Sequence, residues 1–154
     1  GFNALCHVMP PLRSAEDRDA LRQAVADGVI GAICSDHQPH EADAKINPFP
    51  MTEPGISALE TLLPLTLALV HEGVLTPLAA TARLTLGPAR IAGLDAGTIT
   101  VGSAADLVLL DPQHPWTLRA EHLRSAGHHT PFEGHGFKGC ATRTLHRGEV
   151  VFTR

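Results

Sequence analysis

The run Asp36-His37-Gln38-Pro39-His40 gathers the side chains best suited to chemistry. A carboxylate can hold a hard metal ion or take a proton, and an imidazole can ligate a metal or donate to an anion. An apolar, β-leaning segment, Val29-Ile30-Gly31-Ala32-Ile33-Cys34, leads directly into it, and Pro39 stops any continuation. Parallel α/β barrels build active sites at the carboxyl ends of their strands, so the pattern predicts a buried strand over 29–35 that delivers Asp36 to a site. Ser35-Asp36-His37 would equally suit a capped turn with no chemistry.

The other chemistry-bearing residues are dispersed. Cys6, Cys34 and Cys140 are odd in number and lack Cys-x-x-Cys spacing, so neither a disulfide framework nor a zinc knuckle is indicated, and a reducing, cytoplasmic setting is expected. His128-His129 and His135 lie among turn residues and read as a solvated loop, whereas His71, His114, His122 and His146 read as surface or helix-end cations. Asp106 reads as a turn or capping acid. Arg13 could bind an anion or form a buried ion pair.

Composition bounds the function. Of 154 residues, 44% are hydrophobic, which indicates a globular core. Twelve Lys+Arg against sixteen Asp+Glu, with no basic run, argue against nucleic acid as a partner. No apolar run reaches the ~18 residues of a membrane helix, so no membrane partner is expected. A closed barrel takes about 250 residues, and a chain that opens at Gly1 in mid-pattern predicts a piece of a larger fold.

The elements that must position Asp36 are partly legible. Residues 15–27 read as a helix with Ser14 as N-cap and Asp17 in the first turn, ended by Gly28. A long loop, 38–56, carries Pro39, Pro48, Pro50, Pro54 and Gly55, and its length suggests a site loop. Helix 57–72 is predicted to open with the capping box Ser57-x-x-Glu60 and to kink at Pro64. Thr76-Pro77 starts another helix that ends near Gly87-Pro88, and a short one over 88–92 closes at Gly93. Beyond about residue 95 the pattern turns to β, with strands expected at Thr98–Val101, Ala105–Leu110 and Trp116–Leu118. A hairpin is expected of Ala141–His146 and Glu149–Thr153 about Arg147-Gly148.

Asp36-His37-Gln38-Pro39-His40, with Pro10-Pro11-Leu12-Arg13 before it and Glu53-Pro54-Gly55-Ile56 after it, resembles the dihydroorotases of the amidohydrolase superfamily. The stretch Gly97-Thr98-Ile99-Thr100-Val101-Gly102-Ser103-Ala104-Ala105-Asp106 is shared across that superfamily. The final His40 separates this chain from hydantoinases and allantoinases. The wording around His7–Arg13 and Asp36–Glu41 looks most like dihydroorotase-like proteins that assemble with aspartate carbamoyltransferase, some of which are catalytically dead.

The resemblance implies an α/β fold: residues 1–94 as the carboxyl-terminal part of a (β/α)8 barrel, and 95–154 as part of a small β-sandwich. It implies interconversion of carbamoyl aspartate and dihydroorotate in pyrimidine synthesis, with zinc as cofactor (one or two ions). Asp36 is then metal ligand and general base. His40 would bind the substrate carboxylate, the main chain of Pro54 and Gly55 the ring amide, and His37 would support the site without taking part in the chemistry. Met9 stands where active members carry Asn, and His7 where Lys is common. Loss of one hydrogen bond to a charged group is worth about 1.5–3 kcal/mol. The remaining metal ligands would lie on segments not present here, so residues 1–154 alone are expected to be inactive. The implied partners are the small substrate, an oligomer of the protein, and aspartate carbamoyltransferase. A non-catalytic subunit that holds the transferase is the alternative.

Overall fold

The computed structural model describes residues 2–154. Four helices come first: α1 (Ala15–Ala26), α2 (Leu59–His71), α3 (Pro77–Leu84) and α4 (Leu86–Ala92). Three strands follow, β1 (Leu107–Thr117), β2 (Gly136–His146) and β3 (Glu149–Thr153), in one antiparallel sheet of order β1-β2-β3.

α1 forms for local reasons. The Ser14 side chain accepts from the Asp17 amide while the Asp17 carboxylate accepts from the Ser14 amide, which satisfies two amides of the first turn reciprocally. The Ser14 hydroxyl, which donates to Asp17 Oδ2 at 2.6 Å, and after it the Ser14 amide hold the Asp17 carboxyl below its ordinary pKa. Thr76 caps α3 by accepting from the Ala79 amide, and Pro77 sits at the first helical position, where its missing N–H costs nothing. α3 and α4 are separate helices because Thr85, at φ −129° and ψ −87°, breaks the path between them.

Three expectations are corrected. Residues 29–35 pair in no ladder; their backbone bonds run instead from Ile30 to the Ala24 carbonyl and from Ile33 to the Arg83 carbonyl. A strand exists only through a neighbouring strand, and no described residue supplies one. Thr98–Val101 is irregular for the same reason, with Ile99 and Val101 exposed. The Ser57-Glu60 capping box does not form. Ser57 is buried and its hydroxyl donates to the Gly127 carbonyl, while Glu60 accepts from the Arg124 amide.

Elsewhere the segments expected at Ala105–Leu110 and Trp116–Leu118 join into one strand, β1. Its register with β2 shifts between Asp111 and Pro115, and prolines are tolerated there because β1 is an edge strand. The hairpin about Arg147-Gly148 is present as β2–β3. Asp106 accepts from the Arg147 amide at 2.7 Å and lies 3.0 Å from His146 Nδ1, so it is a turn acid. Arg13 is exposed, which removes the buried ion pair.

Two apolar clusters hold the elements together. Val25, Leu75 and Ala80 are buried with Ile30, Ile33, Leu69 and Val74 around them, joining α1, α2 and α3 and seating the segment that precedes Asp36. On the other side α2 packs on β2, where Leu67, Leu118 and Phe137 are buried. Full burial of such side chains contributes about 1.5–3 kcal/mol each. α2 is therefore the shared wall between the Asp36 segment and the sheet.

Candidate active site

Asp36 is exposed and sits at φ +46°, a left-handed conformation uncommon outside Gly, Asn and Asp. Such conformations persist only where the surroundings over-determine them, and here the turn is held by its own side chains and by the 53–57 loop. Gln38 donates its backbone N–H to the Ile56 carbonyl at 3.0 Å, and its side-chain amide reaches Asp36 Oδ1 at 3.4 Å. His40 donates Nε2–H to the Pro54 carbonyl at 3.0 Å. The turn is thus sewn to the 53–57 loop.

Gly55 is where that loop makes its closest approach. An added Cβ would lie 2.6 Å from Gln38 Cβ, 2.8 Å from the Gln38 carbonyl oxygen and 2.9 Å from His40 Nε2, at a φ of +132°. Only glycine fits such a position. The Gly55 amide donates to the His7 carbonyl at 2.8 Å, so the loop is also tied to the segment that leads to Met9. Met9 itself is 61% exposed. Asp36, His40, Pro54 and Gly55 are therefore brought into one neighbourhood, with Met9 reached through His7.

Lys45 is a part of this neighbourhood that sequence reading misses. It is 8% exposed, and its ammonium donates to the His7 carbonyl at 3.2 Å and to the Glu53 carbonyl. Burial pushes its pKa down, and the nearby Glu53 charge opposes that in part. A buried ammonium is tolerable only when hydrogen-bonded, and here it staples the two loops that flank Gly55. The segment 125–129 is the second omission. The Ser57 amide donates to the His129 carbonyl at 2.8 Å, and His129 Nε2 donates to the Glu41 carbonyl at 2.9 Å. A Cβ on Gly127 would lie 2.6 Å from the His40 carbonyl oxygen and 2.7 Å from its nitrogen. His128 is exposed, whereas His129 braces the site from 88 residues beyond Glu41.

Among the described residues no three His, Cys, Asp or Glu side chains group closely enough to hold a metal. Asp36 alone, with its exposed hard oxygen ligand, suits one position of a zinc shell, and a catalytic zinc ordinarily takes about three protein ligands.

This α/β arrangement is similar to parts of solved hydantoinases. An L-hydantoinase (dihydropyrimidinase) from Arthrobacter aurescens superposes with a TM-score of 0.92 at 32% identity, over 99% of this chain and 35% of that one. A D-hydantoinase gives 0.88 at 29%, over 98% and 34%. The amidohydrolase family profile matches residues 6–151, and the chain belongs to that family. In sequence it is 53% identical over 151 residues to a dihydroorotase-like protein of Pseudomonas aeruginosa, covering 98% of this chain and 36% of that protein. It is 43% identical over 154 residues to a dihydroorotase of Pelobacter propionicus, covering 100% and 36%. The chain thus spans about a third of the length of the relatives it matches. Among the described residues no helix is long and apolar enough to cross a membrane.

Proposed function

We propose that the intact protein carrying this chain is a zinc-dependent dihydroorotase that interconverts carbamoyl aspartate and dihydroorotate in pyrimidine synthesis. The observation that carries the reading is Asp36: an exposed carboxylate in left-handed backbone, in a turn whose Gln38 and His40 are bonded to the 53–57 loop. The likeness to dihydroorotases over the whole chain supports it, as does the presence of both histidines of the Asp36–His40 run.

In this reading Asp36 is the general base: its carboxylate takes the proton of the attacking water and returns it to the ring nitrogen as the amide bond breaks. A zinc ion bound at Asp36, with further ligands from outside residues 1–154, would supply Lewis acidity at the reacting centre. The Pro54-Gly55 main chain lies against the ring amide, and close approach is possible because Gly55 has no Cβ. His40 serves the substrate carboxylate; since its Nε2–H is engaged by the Pro54 carbonyl, that role requires Nε2 to exchange partners or a second ring proton on Nδ1. Met9 lines the same approach and adds no donor. Residues 1–94 then belong to the barrel and 95–154 to the accessory β region, and the protein works as an oligomer in the cytoplasm beside aspartate carbamoyltransferase.

The test is steady-state turnover by the intact, zinc-loaded protein on dihydroorotate, hydantoin and allantoin. Preference for dihydroorotate supports the reading. Preference for hydantoin would assign the protein to another cyclic amide. Absence of turnover together with copurified transferase would make it the non-catalytic subunit.

A further inference from the structure

The His37 ring reaches the start of α2. Its Nδ1 accepts the amide of Ala58 at 2.9 Å and that of Leu59 at 3.3 Å, the two residues that open α2. Among the described residues no other side chain caps this helix: Ala58, at the N-cap position, has a methyl group that cannot accept. Its Nε2 lies 3.4 Å from Ser125 Oγ. A nitrogen that accepts from amides must carry its lone pair, so the ring proton resides on Nε2 and is directed at Ser125. One imidazole thus joins three segments that are distant in sequence: the Asp36 turn, the start of α2 and the 125–129 loop.

We propose that His37 is a positioning residue for Asp36, acting as the Nε2–H tautomer. Its ring is anchored to the first amides of α2, a rigid element packed on both sides, and the peptide bond to Asp36 transmits that anchor. The left-handed φ of Asp36 is then held from its own next residue, while Gln38 and His40 hold the turn from the 53–57 loop. The proposal rests on the dihydroorotase reading for its kinetic consequence alone; the tautomer and the backbone of Asp36 are independent of it.

Two substitutions separate the nitrogens. In His37→Asn the side-chain Oδ1 falls where Nδ1 was and can still accept from Ala58 and Leu59, whereas His37→Gln can reach toward Ser125 and leaves the two amides without their acceptor. In the intact protein His37→Asn is expected to keep kcat close to the parent value. His37→Gln is expected to lose about 10²-fold in kcat, the scale set by a misplacement of about 1 Å, with KM little changed and the folded state retained by circular dichroism. Crystal structures of the two variants read the same effect without turnover: Asp36 keeps its left-handed φ in His37→Asn and leaves it in His37→Gln. A long-range ¹⁵N–¹H spectrum of the parent should show Nδ1 unprotonated and Nε2 protonated. The proposal is overturned by a protonated Nδ1, by equal kcat in the two variants, or by an Asp36 backbone unmoved in both. An intact protein with no turnover would end the dihydroorotase reading, and the variant structures and the spectrum would still decide the role of His37.

Discussion

Gly55→Ala probes the closest contact in the site. The new methyl would meet the Gln38 carbonyl oxygen at 2.8 Å as well as Gln38 Cβ and His40 Nε2, so backbone must move to admit it. Holding a non-glycine residue at φ +132° costs about 1–3 kcal/mol. Overpacking adds about 1–3 kcal/mol, for a combined loss of about 2–6 kcal/mol. Gly73→Ala is the matched control: its φ is +77° and nothing lies within 4 Å of the added Cβ, so only the backbone cost of about 1–2 kcal/mol applies. Urea unfolding of the intact protein, read as a change in midpoint at constant slope, gives both values. The Gly55 variant should be the less stable of the two and should also show a raised KM, since the 53–57 loop is displaced. Equal midpoints for Gly55→Ala and Gly73→Ala would refute the close packing of Gly55 on the Asp36–His40 turn.

Met9→Asn should lower KM for dihydroorotate by one to two orders of magnitude, the equivalent of about 1.5–3 kcal/mol for a restored bond to a carboxylate; an unchanged KM would remove Met9 from the substrate approach. Lys45→Met removes the ammonium that joins the His7 and Glu53 carbonyls; the His7 carbonyl keeps the Gly55 amide and the Glu53 carbonyl loses its donor, so a loss of about 1–3 kcal/mol in chemical unfolding is expected, together with a higher KM. Asp17 has a depressed pKa in the folded state, so its contribution to stability is present above the unfolded carboxylate value and is lost as pH falls through the folded one. Unfolding midpoints measured against pH should accordingly show a smaller acid-side loss in Asp17→Asn than in the parent.

What the sequence discloses follows the range of the interaction. The α1 capping box closes within four residues, Ser14 to Asp17, and is readable as such. The α2 cap is not, because the acceptor of the Ala58 amide is His37, 21 residues earlier, while the local Ser57 and Glu60 are drawn off to Gly127 and Arg124. The apolar run 29–35 has strand composition, yet strand pairing depends on neighbours that these residues do not include. β1 looked divided because prolines usually end strands, and an edge position accommodates them. In the site, Asp36 and the histidines after it stand out by residue type at the end of an apolar run, whereas Gly55 is singled out by the resemblance to dihydroorotases. Lys45 does not, since its partners are carbonyls 8 and 38 residues distant and carbonyls leave no mark in sequence. Ser125–His129 is silent for the same reason, although Gly127 beside a polar pair could have been read as a point of close approach.

The most direct test of the account is turnover of dihydroorotate by the intact, zinc-loaded protein and by its Asp36→Asn variant. The amide preserves the size and the hydrogen-bonding outline of the carboxylate and removes its charge and basicity. The account predicts measurable turnover in the parent and its loss in Asp36→Asn, with the unfolding midpoint and the assembly state unchanged. An Asp36→Asn protein that turns over dihydroorotate at the parent rate would contradict it.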